Sequence, residues 1–126
     1  MTLDKTSRDL LTVDTEPLGT DTLIVRMVGE IDLSSAHILS AELGELAKRH
    51  LEDVVLDATK VTFMDSTGLH ALVEGKRALH ESDTRIYLVP SSQVRRVLEL
   101  VFPDPLFAHR LDSVEEAIAA IDGRSA

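Results

Sequence analysis

The apolar residues of this chain change their spacing several times, and that alternation constrains the fold more than any single motif. Val54, Val55 and Leu56 form an unbroken apolar run, the pattern of a strand covered on both faces. Ile86 to Val89 repeats it and stops at Pro90. Around these runs the period becomes helical. Ala36, Leu39, Leu43, Leu46 and Ala47 follow the N-cap candidates Ser34 and Ser35. Leu69, Leu72, Val73 and Leu79 form one stripe after Asp65, and Val94, Val97, Leu98 and Val101 form another that ends at Pro103 and Pro105. A short strand over Phe107 to Leu111 comes next. Ser113 with Glu116 then makes a capping box ahead of Val114, Ala117, Ile118 and Ile121.

Two further strands precede the first helix. Leu10, Leu11 and Val13 open a weak one, stopped by Pro17 and Gly19, and Leu23 to Val28 make a stronger one ended by Gly29. Their short separation implies an antiparallel hairpin. The predicted order is therefore β-β-α-β-α-β-α-β-α. This is an α/β chain with a mixed sheet: an opening hairpin, then alternating βα units with right-handed crossovers, packed with about four helices.

A length of 126 residues corresponds to one domain, which can hide roughly two-thirds of its extended-chain surface. The hydrophobic fraction of 44% is too high for a disordered chain. Aromatics are only 3%, so the core must be aliphatic, with Tyr87, Phe102 and Phe107 expected inside it. There is no cysteine, hence no disulfide, thiol nucleophile or cysteine zinc site; that usage suits a reducing cytosol. A net charge of −9 argues against a nucleic-acid partner and against docking on an anionic membrane. The longest uninterrupted apolar run, Ala117 to Ile121, has five residues, against about 20 for a membrane span. Asp4, Lys5, Arg8 and Asp9 interrupt the N-terminus before any signal-peptide core. The expectation is a cytoplasmic domain over residues 10–122, with a flexible N-terminus (1–9) and a short C-terminal tail (123–126).

In parallel α/β sheets, chemistry gathers in the loops at the carboxyl ends of the strands. Three loops qualify here: Gly29-Glu30-Ile31-Asp32, Thr62-Phe63-Met64-Asp65-Ser66 and Pro90-Ser91-Ser92-Gln93. With the Leu23 and Val54 strands as neighbours, Asp32 and Ser66 approach each other. Asp65-Ser66-Thr67-Gly68-Leu69 reads in the first place as ordinary helix capping. It also puts the Ser66 hydroxyl at a helix entrance, where a phosphate meets free backbone N–H groups.

Enzyme readings of this stretch fail. A nucleophile elbow needs glycine two residues before the serine, where Met64 stands. No phosphate-binding glycine loop occurs. His37, His50, His70, His80 and His109 show no paired metal-ligand spacing, so neither metal nor cofactor is expected. His70 follows Ser66 by one helical turn, within reach of the serine, although such a histidine is ordinarily solvated. Asp57 ends a buried strand as in a receiver domain, but the acidic pair and the lysine that a receiver requires are missing.

Gly29-Glu30-Ile31-Asp32, then Leu56-Asp57 leading to Val61-Thr62-Phe63-Met64-Asp65-Ser66-Thr67-Gly68-Leu69, resembles the STAS domain of bacterial anti-sigma factor antagonists. The spacing through Pro90-Ser91-Ser92 and the Val94 helix is also similar, so the resemblance covers roughly residues 10 to 122. It implies a non-enzymatic partner switch that acts on transcription. The unphosphorylated antagonist binds an anti-sigma factor that is also a serine kinase, freeing a sigma factor. The kinase inactivates it by phosphorylating the serine after the motif aspartate, and a phosphatase reverses this. By position that serine is Ser66, with Thr67 the lesser candidate. The implied switch surface comprises Asp32, Asp65, Ser66, Thr67, Gly68, His70, Ser91 and Ser92. Two residues depart from the family pattern: Thr67 stands where a second serine is common, and His70 where glycine is common. The alternative is a STAS subunit of a transporter or stress-sensing complex that holds partners together without a serine switch.

Overall fold

The structure is a computed structural model, and it describes residues 11–101 and 111–125. Four strands form one sheet in the order β1-β2-β3-β4: β1 (Leu11–Pro17), β2 (Thr22–Ile31), β3 (Asp53–Met64) and β4 (Arg85–Pro90). β1 and β2 pair antiparallel, and the β2–β3 and β3–β4 pairs are parallel. The helices are α1 (Ala36–Ala47), α2 (Ser66–Glu81), α3 (Ser92–Val101) and α4 (Val114–Ser125). This is the mixed α/β sheet with an opening hairpin that the spacing predicts.

The unbroken run in β3 has its physical explanation in two cores. Val54, Leu56 and Ala58 point to one face, with Leu23, Val25 and Met27 of β2, and pack with Leu39 and Leu43 of α1, Leu72 and Leu79 of α2, and Val94 and Leu98 of α3. Val55 points to the other face, where Ile24, Tyr87 and Val89 pack against Ala117 and Ile121 of α4. Both layers remove apolar surface from water, at roughly 25 cal/mol per Å², so neither register nor face can slip by one residue without exposing a full row. Tyr87 is buried, as expected.

Several boundaries differ from the sequence reading. Gly29 does not end β2, which runs on to Ile31. Gly29 adopts φ 117°, and the β2–β3 register shifts between Gly29 and Glu30. The glycine thus provides a bulge rather than a stop. β3 also continues beyond its apolar run, with Gly29 opposite Val61, Glu30 opposite Phe63 and Ile31 opposite Met64. The supposed Thr62–Ser66 loop is therefore strand up to Met64, and only Asp65 separates β3 from α2.

Ser35 is the N-cap residue of α1 but makes no side-chain cap. The Ser113–Glu116 box is half formed: Glu116 N–H donates to Ser113 Oγ at 3.1 Å, while Glu116 Oε1 accepts from Asp112 N–H. Residues 1–10 and 102–110 lie outside the described residues, and with them the flexible N-terminus, Phe102, Pro103, Pro105 and most of the expected Phe107–Leu111 strand. Leu111 is described, and its N–H donates to Leu88 O of β4 at 2.8 Å. α4 carries on through Gly123 to Ser125.

Asp57 is absorbed into structure. Its Oδ1 accepts from the Thr59 N–H and hydroxyl, and Arg26 bridges it at 4.0 Å while pairing with Glu16 at 2.6 Å. Neighbouring strands make this a charge ladder across the sheet, on the face that carries Ile24.

Candidate functional site

The site is built where β2 and β3 end side by side. Ile31 pairs with Met64, so the residues that follow them, Asp32 and Asp65-Ser66, emerge from adjacent strands at one edge. Asp65 N–H donates to Ile31 O at 3.3 Å, tying the start of α2 to the end of β2. The juxtaposition of Asp32 with Ser66, expected from topology alone, follows directly from this register.

Asp65 performs the capping. Its backbone is extended (φ −104°, ψ −172°), and its carboxylate accepts from Gly68 N–H at 2.9 Å. Its carbonyl accepts from Leu69 N–H at 2.9 Å. Because the aspartate fills this role, Ser66 is left as the first residue of α2 and is exposed, whereas Thr67 is half-buried and Gly68 and Leu69 are buried. Removing the cap in Asp65→Ala is expected to lower stability by about 1 kcal/mol, read as a shift in the urea midpoint at unchanged slope.

Gly68 is there because α2 begins in contact with β2. A side-chain Cβ at this position would overlap the Ile31 carbonyl oxygen and come within 2.9 Å of its carbon. The motif glycine therefore measures how closely the serine-bearing helix approaches the Asp32 strand.

Asp32 sits in a tight polar turn. Its Oδ1 accepts from Ser34 N–H at 3.0 Å and Ser34 Oγ at 2.8 Å. The Ser35 hydroxyl, which is buried, is shared between Glu30 O at 2.7 Å and Asp32 Oδ1 at 3.2 Å, and accepts from Asp32 N–H at 3.0 Å. Ser35 thus braces the loop instead of capping α1. The Ser34 hydroxyl, followed by the other donors of this turn, holds the Asp32 carboxyl below its ordinary value of 3.8.

A carboxyl with a depressed folded pKa contributes stability above its ordinary value and loses it as pH falls through the folded one. Asp32 keeps its charge unchanged from pH 8 to 5. Asp32→Asn is expected to leave the pH dependence of the melting temperature intact across that range and to flatten it below about pH 4, as followed by circular dichroism.

Ser91 and Ser92 are placed differently. Ser91 Oγ accepts from Val94 N–H at 3.2 Å, so Ser91 caps α3, and its own N–H donates to Ala58 O at 3.1 Å. Ala58 pairs with Pro90, six residues before β3 ends at Met64. At about 3.3 Å per residue this sets Ser91 back from the Ser66 edge by about 20 Å along the strand. The structure brings Asp32, Asp65, Ser66, Thr67 and Gly68 together and leaves the serine pair on a separate shelf.

His70 is exposed, one turn along α2, with Nε2 3.9 Å from Glu74 Oε2. Ser66, Leu69, His70 and Val73 line a shallow cleft of about 150 Å³ on one flank of the helix. Two apolar side chains at this end are exposed, Leu33 at 79% and Phe63 at 45%; the sequence placed Phe63 in the motif and assigned neither a role of its own. Phe63 stands opposite Glu30 in a strand whose buried neighbours are Val61 and Met64, and this register leaves no trace in the sequence.

Among the described residues no helix is long and apolar enough to cross a membrane. Compared with known proteins, residues 14–117 match the model of the STAS domain. The anti-sigma-B factor antagonist of Staphylococcus aureus (strain NCTC 8325 / PS 47) is 29% identical over 77 residues, which are 60% of this chain and 71% of that protein. An anti-sigma factor antagonist from Mycobacterium paratuberculosis has the same fold, with TM-score 0.78 at 24% identity over 89% of this chain and 94% of that one. So does the Bacillus cell fate determinant SpoIIAA in its phosphorylated form, with TM-score 0.68 at 21% identity over 87% and 99%. With its strand order, its Asp-Ser-Thr-Gly helix start and a match over most of its length, this chain belongs to the STAS domain family.

Proposed function

We propose that this chain is an anti-sigma factor antagonist: unphosphorylated, it binds an anti-sigma factor that is also a serine kinase, and phosphorylation of Ser66 ends that binding. The observation that carries the reading is the exposed Ser66 at the first position of α2, freed from capping by Asp65 and set beside the end of β2. The similarity to anti-sigma factor antagonists supports the partner class. The antagonist needs no catalytic group of its own. The Ser66 hydroxyl attacks the γ-phosphorus of ATP held by the kinase, ADP leaves, and a base on the kinase takes the proton. A phosphatase hydrolyses the ester and returns the serine. The cycle takes place in the cytoplasm, where sigma factors act.

Electrostatics explains why one phosphate is enough. It adds about −1.5 to −2 charges to an edge that already carries Asp32 and Asp65 on a chain of net charge −9. The favourable interaction with the start of α2 is worth roughly 0.3–1 kcal/mol. Against it, a unit charge pair about 6 Å apart at an effective dielectric near 20 costs roughly 2–3 kcal/mol before screening. In the free protein the exposed position of Ser66 leaves the phosphate charge open to water and counter-ions, which screen it. A docked partner removes that screening, so repulsion falls mainly on the complex.

The test is the intact mass of the protein purified from its own host, with and without phosphatase, followed by mapping of the modified peptide. A single phosphate on the Ser66 peptide is expected. A protein that carries none under any growth condition, yet remains bound to a partner, contradicts the switch and supports a STAS subunit that only holds its partners.

A further inference from the structure

The proposed switch leaves His70 without a role, and the structure provides one. Ser66, His70 and Glu74 are spaced i, i+4, i+8 on α2, and both Ser66 and His70 line the cleft beside Leu69 and Val73. Side chains on a helix lean toward its N-terminus, so each residue of such a series reaches back over the one four before it. Glu74 already does so, with its carboxylate 3.9 Å from His70 Nε2. The same geometry puts the Ser66 position, one turn N-terminal, within reach of the His70 ring. Its contact with Glu74 is long, and both side chains are largely exposed (76% and 57%), which leaves the ring free to exchange one anion for another.

We propose that His70 is a positioning residue for the phosphorylated state: its imidazole pairs with the phosphate on Ser66, holds it against the flank of α2 and slows its removal. This rests on the reading of Ser66 as the phosphorylated residue. The buried apolar floor of the cleft, Leu69 and Val73, cannot hydrate the phosphate on that side. His70 is the donor that this lining offers beyond Ser66 itself among the described residues. Glu74 acts in the opposite direction by competing for the same ring.

The experiment uses the full chain with phosphoserine encoded directly at position 66, so that no kinase has to be known, and an unrelated alkaline phosphatase as the probe. Dephosphorylation is expected to be about three-fold faster in His70→Gln than in the parent, the size of an exposed ion pair. His70→Lys is expected to restore the protection and Glu74→Gln to increase it. The melting temperature of the phosphorylated form, relative to its own unphosphorylated form, should be lower in His70→Gln than in the parent and return in His70→Lys. Equal rates and equal melting shifts in all variants would overturn the role of His70 and leave the switch standing. If phosphoserine at position 66 does not change binding of the anti-sigma factor by the parent chain, it is the switch that fails.

Discussion

Gly68→Ala is expected to be among the most damaging single substitutions that add only one carbon to this protein. The new methyl group would overlap the Ile31 carbonyl oxygen and lie 2.9 Å from both its carbon and its Cγ2. A flexible side chain could move aside, but a carbonyl in a paired strand cannot, because that oxygen also accepts from Asp65 N–H. Relief requires α2 to tilt away from β2, which pulls the buried Leu69 and Leu72 out of register with the core. Overpacking typically costs about 1–3 kcal/mol, and a backbone collision lies at the upper end. A loss of about 3 kcal/mol lowers the melting temperature of a domain of this size by about 10 °C. Calorimetry checks this. A melting temperature within 2 °C of the parent, on the order of experimental scatter, would mean that α2 and β2 are not in the contact described. Affinity for the partner should fall as well, since the collision lies between the two segments that carry Asp32 and Ser66.

That glycine illustrates where the sequence was legible and where it was not. The element order could be read because the central residues of β3 answer to a local rule. Val54, Val55 and Leu56 are all apolar because cores lie on both faces, and the stripe Leu69, Leu72, Val73, Leu79 follows from helical period alone. The nearness of Asp32 to Ser66 was equally legible, since it needs only that β2 and β3 be parallel neighbours.

Strand ends were not legible. Lys60 and Thr62 look like loop residues because they are polar, and Gly29 looks like a stop, yet β3 and β2 run on because their last residues pair with each other. That stabilisation is non-local and leaves no periodic trace in either segment. The same holds for Ser35, whose hydroxyl serves Glu30 and Asp32 rather than the helix it precedes. Ser91 and Ser92 follow the carboxyl end of a strand as Asp32 and Ser66 do, but β3 overshoots β4 by six residues, which no local pattern records.

Ser66→Asp is the second substitution with a large expected effect, in this case on binding and not on stability. Ser66 is exposed and its hydroxyl is not the cap of α2, so the fold should tolerate the change within about 0.5 kcal/mol. Binding is another matter. One carboxylate at this edge adds a unit of negative charge beside Asp32, whose own charge is secured by the Ser34 and Ser35 donors. In the docked complex, a unit charge pair about 6 Å apart at physiological salt costs about 1.4 kcal/mol, a tenfold loss of affinity. Phosphate carries about twice that charge, which corresponds to about a hundredfold. Ser66→Ala has no acceptor for the phosphoryl group and should stay bound to the kinase in the presence of ATP. Continued phosphorylation of Ser66→Ala at the parent stoichiometry would move the acceptor to Thr67. The effect of Ser66→Asp should also weaken as salt is raised. A loss that is independent of salt would point to steric exclusion instead of charge.

The most direct test of the account is titration calorimetry of the anti-sigma factor with two forms of the full chain that differ only at position 66, one with serine and one with encoded phosphoserine. Tight binding of the serine form and about a hundredfold weaker binding of the phosphoserine form are expected, with the melting behaviour of both forms showing the same folded domain. Equal affinity of the two forms would contradict it and leave Ser66 as an exposed first residue of α2 with no part in the switch.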